Sequence, residues 1–209
     1  MNIAVIGTGK MGSGLGRLWA HKGHAVVFGS RDPYKAVKLA ETIGIMAAGA
    51  TVDKAVRFAN VVLLAVPWAA ARDSLYHAGA LEGKIIIDCT NPTSADCLHL
   101  LIGHETSGAE QIAAWTPGAR IVKAFNYIYA QIIHSSPKFG SQTATVLYCG
   151  DDGDAKETVA GLIADAGFDP VDAGSLQNAR YLEPIAEQMI HLAYVMNIGT
   201  DQAIKIIRR

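Results

Sequence analysis

The 209-residue chain carries 18 basic against 19 acidic side chains, a formal net charge of −1. It therefore lacks the basic excess that would bind nucleic acid or an anionic membrane surface. No apolar run reaches the roughly 18 residues that a bilayer span requires. No leader segment precedes the first apolar run, and the expected location is the cytoplasm. The three cysteines, Cys89, Cys97 and Cys149, show neither CxxC nor Cys/His ligand spacing, which predicts reduced thiols and neither a disulfide framework nor a metal site. Also missing are a Ser-His-Asp or Cys-His set, paired carboxylates and a Tyr-x-x-x-Lys dyad, so no side chain is assigned as catalytic. The seven histidines read as ordinary surface or helix-packing residues, His21 and His24 as solvated ones at a turn.

Half of the chain is hydrophobic, enough for one sizeable core. Its opening stretch organises the rest. An apolar run from Ile3 to Ile6 breaks at Gly7-Thr8-Gly9-Lys10-Met11-Gly12, a helix-compatible segment follows to Lys22, and a second apolar run leads to Gly29-Ser30-Arg31. Three glycines at G-x-G-x-x-G spacing between a strand and a helix form a dinucleotide fingerprint. Gly7 permits the turn, Gly9 lets backbone approach a pyrophosphate, and Gly12 lets helix pack on strand. The diphosphate then rests on the positive helix N-terminus.

The end of the second strand selects the dinucleotide. An NAD site places an acid there for the ribose 2′-hydroxyl, whereas Ser30 and Arg31, with Lys35 close by, suit a 2′-phosphate, for which a guanidinium supplies a charged fork of donors. NADP is the expected cofactor. Asp32 reads as the N-cap of the next helix, with Pro33 at its first position.

The remaining chain alternates strands and helices. Expected strands include Ile45 to Ala48, Val61 to Val66, Ile85 to Asp88, Ala119 to Phe125 and Thr143 to Cys149, several of them near-continuous apolar runs suited to a strand buried on both faces. Repeated βαβ units give an α/β Rossmann-type, doubly wound, mainly parallel sheet, expected as a single domain over 1–209. Residues 179–209 read as mostly helical, with an apolar stripe through Leu182, Ala186, Met189, Ile190 and Met196. The segment 175–209 is expected to serve as substrate wall or dimer contact.

Ligands of such sheets lie outside the carboxyl ends of the strands. Those ends are Gly7 to Gly12, Gly29 to Arg31, Ala65-Val66-Pro67-Trp68, Cys89-Thr90-Asn91-Pro92 and Phe125-Asn126-Tyr127-Ile128. Ala65, Val66, Pro67, Asn91 and Asn126 are candidate cofactor contacts, the two amides suiting a carboxamide. Trp68, Pro92, Phe125, Tyr127 and Ile128 are candidate substrate contacts. Tyr127 is the one group there with a proton to give.

These residues, together with Val122-Lys123-Ala124-Phe125-Asn126, Cys149-Gly150-Asp151-Asp152 and Asp172 to Arg180, carry a resemblance across essentially the whole chain. It resembles the NADP-dependent coenzyme F420 oxidoreductases, and is similar to the NADPH-binding domain of the six-transmembrane metalloreductases. The resemblance implies hydride transfer between NADPH and a stacked deazaflavin or flavin, with F420, FMN or FAD as co-substrate, in a homodimer. It implies NADP contacts at Thr8, Gly9, Lys10, Met11, Ser30, Arg31, Lys35, Val66, Ala70 and Ala130. Where the F420 enzymes typically carry a His beside the deazaflavin, this chain has Phe125-Asn126-Tyr127, the metalloreductase version.

The expected activity is that of an NADPH-dependent reductase of a flavin-like acceptor, for which stacking geometry suffices and no obligatory acid is needed. Two other readings stand beside it: an imine or carbonyl reductase resembling the pyrroline-carboxylate reductases, and a non-catalytic NADP(H) sensor.

Overall fold

Apolar runs bounded by glycine, proline and acidic caps fold, in a computed structural model that describes all 209 residues, into alternating strands and helices. They are β1 (Asn2–Ile6), α1 (Lys10–His21), β2 (Ala25–Gly29), α2 (Pro33–Glu41), β3 (Ala47–Ala50), α3 (Val52–Phe58), β4 (Val61–Leu64), α4 (Trp68–Tyr76) and β5 (Ile85–Asp88). The second half adds α5 (Gly108–Trp115), β6 (Arg120–Lys123), α6 (Ala130–His134), β7 (Lys138–Phe139), β8 (Gln142–Thr143), β9 (Thr145–Gly150), α7 (Gly153–Asp165), β10 (Asp169–Asp172) and α8 (Ala179–Ile190). Eight strands form one sheet in the order β10-β9-β6-β5-β4-β1-β2-β3. Every pairing is parallel except β6 with β9, where Lys123 faces Cys149. β1 thus lies between β2 and β4, and the crevice where the strand order reverses opens beside Gly7.

The sheet separates two cores. One holds Leu15, Trp19, Leu63, Ile87, Phe125, Ala186 and Met189. The other holds Ile6, Leu64, Ile86, Ile112, Leu176 and Leu182. Alternate residues of β4 and β5 enter opposite cores, as the two-residue strand period requires. α8 contributes to both.

Asp32 caps α2, its carboxylate accepting from Tyr34 N–H at 3.1 Å, with Pro33 at the first position. The third strand lies two residues later than its apolar run suggests. Gly49 explains the shift: a Cβ there would sit 2.1 Å from the backbone nitrogen of Val37, so α2 packs directly on this strand, and Ile45 is left fully exposed. The strand through Val61 ends at Leu64, because Ala65 already belongs to the ligand-side loop.

The expected C-terminal helical segment is present but stops short of Arg209. Helix ends in a π-helical turn, His191–Val195, and Asn197 has φ +57°. Residues 196–209 are irregular. They bond to the sheet instead, Thr145 N–H donating to Ile204 O at 2.8 Å and Lys205 pairing with Asp169. No helix is long and apolar enough to cross a membrane.

Candidate functional site

The glycine loop is built as its spacing demands. Gly7 adopts φ +113°, and a Cβ on it would meet Ala65 O at 2.2 Å, so only glycine lets the loops after β1 and β4 touch. A Cβ on Gly12 would strike Gly7 O at 2.2 Å, which fixes α1 against the turn. At Gly9 nothing lies within 4 Å of the Cβ position. This open space sits over the N-terminus of a twelve-residue helix with no side-chain cap, whose first N–H groups have no intrahelical partner. The geometry fits a dinucleotide pyrophosphate.

Ser30, Arg31 and Lys35 lie at the carboxyl end of β2 and the start of α2. Ser30 Oγ accepts from Asp32 N–H at 3.1 Å, while Arg31 is exposed. Val66 packs beside Gly7. Ala70 lies in the first turn of α4, its N–H donating to Pro67 O at 2.8 Å.

Beyond the loop, Met11 on α1 forms one wall of a cavity of about 480 Å³. Asn126, Ile128 and Ala130 contribute the floor after β6, Ala186, Met189, Ile190 and Tyr194 the opposite wall, and Asp96, Cys97 and Leu98 the rim. A larger concavity of about 620 Å³ between Arg72 and Trp115 lies at the amino ends of β5 and β6. We assign chemistry to the smaller one, because it adjoins the glycine loop at the carboxyl ends.

Three of the sequence-based substrate contacts lie outside the cavity lining. Phe125 is fully buried, edge-on to Trp19 at 6.2 Å and to Phe168 at 5.9 Å. Trp68 stacks on Trp115 at 5.3 Å, on the other side of the sheet. Pro92 is buried beside Gly108. Tyr127 has its ring against the cavity, but its hydroxyl donates to Thr145 O at 2.8 Å and accepts from Leu147 N–H at 2.7 Å. Burial pushes that phenol above its ordinary value, so it is a sheet fastener and no proton donor. Ile128 lines the cavity.

Asn91 and Asn126 serve each other. Asn91 Nδ2 donates to Asn126 O at 2.7 Å, and Asn126 Nδ2 donates to Asn91 Oδ1 and to Leu182 O, each at 2.9 Å. Asn91 is thereby occupied within the protein and lies outside the cavity lining. Asn126 Oδ1 is buried and has no partner. His24, expected in solvent, is buried with Nε2 at 2.9 Å from Asp165. Its position at the start of β2 brings it over the end of α7, a long-range contact that local reading does not see.

One cluster escaped the sequence reading. Lys123 Nζ, fully buried, donates to Asp88 Oδ2 at 2.8 Å, Thr90 O at 2.7 Å and Glu183 Oε1 at 2.8 Å. Burial alone would lower its pKa, but the Asp88 and Glu183 carboxylates outweigh burial and hold the ammonium above the ordinary lysine value. Glu183 also accepts from the N–H groups of Gly108 and Ala109. The available signal was a charge closing each of two apolar runs, Asp88 and Lys123, at the same sheet edge. The Asp172 to Arg180 element ends beside this cluster, Arg180 gripping Glu110 bidentately at 2.9 and 2.7 Å.

Residues 2–92 match the family model described as NADP oxidoreductase, coenzyme F420-dependent. The F420-dependent NADP reductase of Methanothermobacter marburgensis is 33% identical over 208 residues, an alignment covering 92% of each chain. The chain belongs to this family. As a family member it is an NADP-dependent oxidoreductase with the Rossmann-like sheet of its relatives. A protein from Arthrobacter sp. FB24, solved as a candidate F420-dependent NADP reductase, superposes with TM-score 0.90 at 28% identity over the whole of both chains. The rat metalloreductase STEAP3 is 34% identical over 191 residues, and the chain spans 37% of that relative's length.

Proposed function

We propose that this family member transfers a hydride between NADP(H), held on the glycine loop, and a flavin-like acceptor of the F420, FMN or FAD type in the adjoining cavity. The carrying observation is that Met11 and Ala130, both expected nucleotide contacts, also line the apolar cavity, so a nicotinamide leaving the loop meets whatever fills it. When bound, NADPH would supply a hydride from its C4 position to ring N5 of a flavin or C5 of a deazaflavin, with the N1 proton coming from water. The protein's part is placement. Gly7 and Gly9 bring backbone to the pyrophosphate, Ser30, Arg31 and Lys35 hold the 2′-phosphate, and Met11, Met189 and Ile190 exclude water from the ring faces. No side chain is required as acid, which agrees with the fastening of Tyr127 and disfavours a carbonyl reductase.

The reading includes a cytoplasmic homodimer formed by the single domain. Its support is the exposed set Tyr194, Val195, Met196 and Ile198 in the segment 175–209. Light scattering behind gel filtration should give twice the chain mass, and substituting Met196 and Ile198 by Ser should give the monomer.

Purified protein mixed with NADPH and each of FMN, FAD and F420 should oxidise NADPH, followed by its absorbance. Tight NADPH binding with no oxidation by any flavin-like acceptor would leave a nucleotide sensor instead.

A further inference from the structure

One wall of the acceptor cavity is anchored to a buried charge cluster that takes no part in the chemistry. Helix α8 supplies Ala186, Met189 and Ile190 to the cavity, and Glu183 shares a helical face with Ala186 and Ile190, at i, i+3 and i+7 spacing. The ladder of α8 is interrupted near both ends. Pro184 offers no N–H to Arg180 O, and after Ile190 the helix passes into the π-helical turn His191–Val195. Its placement on the sheet therefore leans on side-chain bonds. Glu183 Oε1 accepts from Lys123 Nζ at 2.8 Å and from Ala109 N–H at 3.1 Å, and Oε2 accepts from Gly108 N–H at 2.9 Å. Lys123 is tied in turn to Asp88 and to Thr90 O at the end of β5. One residue earlier on α8, Leu182 O accepts from Nδ2 of Asn126, which lines the cavity floor.

Stability alone gives little reason for such a cluster. Asp88, Lys123 and Glu183 are all 0% exposed, and buried ions of this kind can often be replaced by apolar side chains of similar volume with no loss of stability. Apolar contact does not supply direction. Hydrophobic attraction is indifferent to angle, whereas three hydrogen bonds reaching one carboxylate from two elements admit a single placement. Hydride transfer needs that placement, since a shift of about 1 Å can cost about a hundredfold in rate. Resting on the hydride-transfer reading above, we infer that Glu183 is a positioning residue for the acceptor. Held by Lys123 and the first N–H groups of α5, it fixes the wall of Ala186, Met189 and Ile190 opposite Met11, so that a ring in the cavity meets the nicotinamide at one separation.

The test separates acceptor from nucleotide on the intact protein. Two variants remove the anchor: Glu183→Gln, and the triple variant Asp88→Asn, Lys123→Met, Glu183→Gln, which leaves no charge in the cluster. Val159→Ala is the control, a core truncation on α7, which gives no residue to the cavity. Wild type first identifies the best acceptor among FMN, FAD and F420. Each anchor variant that thermal melts show to be folded at the assay temperature should lose at least roughly tenfold in kcat/KM for that acceptor, while its Kd for NADPH by fluorescence titration stays within about twofold. Val159→Ala should lose thermal stability and change neither parameter. A folded anchor variant that keeps its kcat/KM within tenfold, or loses NADPH affinity as much as acceptor turnover, would overturn the inference and leave the hydride-transfer reading intact, as would the same split in Val159→Ala. Unfolding of both anchor variants would make the cluster purely structural and overturn it as well. NADPH that wild type binds but that none of the three acceptors oxidises would overturn both.

Discussion

At the scale of single residues, the nucleotide half of the site depends on a few atoms with no structural duty. Arg31 is exposed and makes no ion pair, so its replacement costs little folding energy and isolates its effect on ligand. Arg31→Ala should weaken NADPH by about 1.5–3 kcal/mol, roughly ten- to a hundredfold, with NADH little changed. Equal losses for both nucleotides in fluorescence titrations would remove the 2′-phosphate from this corner. Tyr127 is the converse, a residue that resembles a catalytic acid and is spent on structure. Tyr127→Phe leaves Leu147 N–H without a partner and should cost about 1–3 kcal/mol of stability. Its kcat should change less than about tenfold, against the roughly 10²–10⁴ expected of a lost general acid. Thermal melts and single-turnover kinetics on the same preparation separate the two effects.

At the scale of elements, α8 was legible as an amphipathic helix, but the groups it meets across the sheet were not. The βαβ half was legible because each signal there is local: glycine spacing, an Asp-Pro cap, apolar runs of strand length. Ser30 and Arg31 could be placed from their distance past β2 alone. The acceptor cavity draws on Met11, the rim at Asp96 and the wall at Met189, segments far apart in sequence, and no periodicity states that they meet. Phe125 and Trp68 were misjudged for the same reason. A strand-end position says which edge of the sheet a residue occupies but not which way its side chain turns.

The bond that fixes α8 to α5 also makes a pH prediction. Arg180 donates two hydrogen bonds to Glu110, which outweigh partial burial and hold its carboxyl below 4.5. A carboxyl depressed in the folded state contributes stability above its unfolded value and loses it as pH falls through the folded value. Arg180→Met should therefore lower Tm at neutral pH and flatten the acid limb, so that wild type and variant converge as pH falls through and below the ordinary glutamate range. Parallel Tm profiles over that range would assign the acid limb to other groups.

At the scale of the whole molecule, the sheet divides the interior. Leu15 belongs to the core under α1, and Ile112 to the core under α5. Eight strands of hydrogen-bonded backbone lie between them, and close-packed interiors pass strain mainly to neighbours in contact. Leu15→Ala should destabilise by about 2–5 kcal/mol and Ile112→Val by about 0.5–1.5, and the double variant should equal their sum within about 0.3–0.5 kcal/mol. The same pair of losses placed on α8, at Leu182 for one core and Met189 for the other, should depart from additivity, because that helix is shared. Drift of sequence can accordingly proceed on the two faces as two separate ledgers, each substitution judged by its own neighbours. Along α8 both are read at once, and the path of permitted change narrows there.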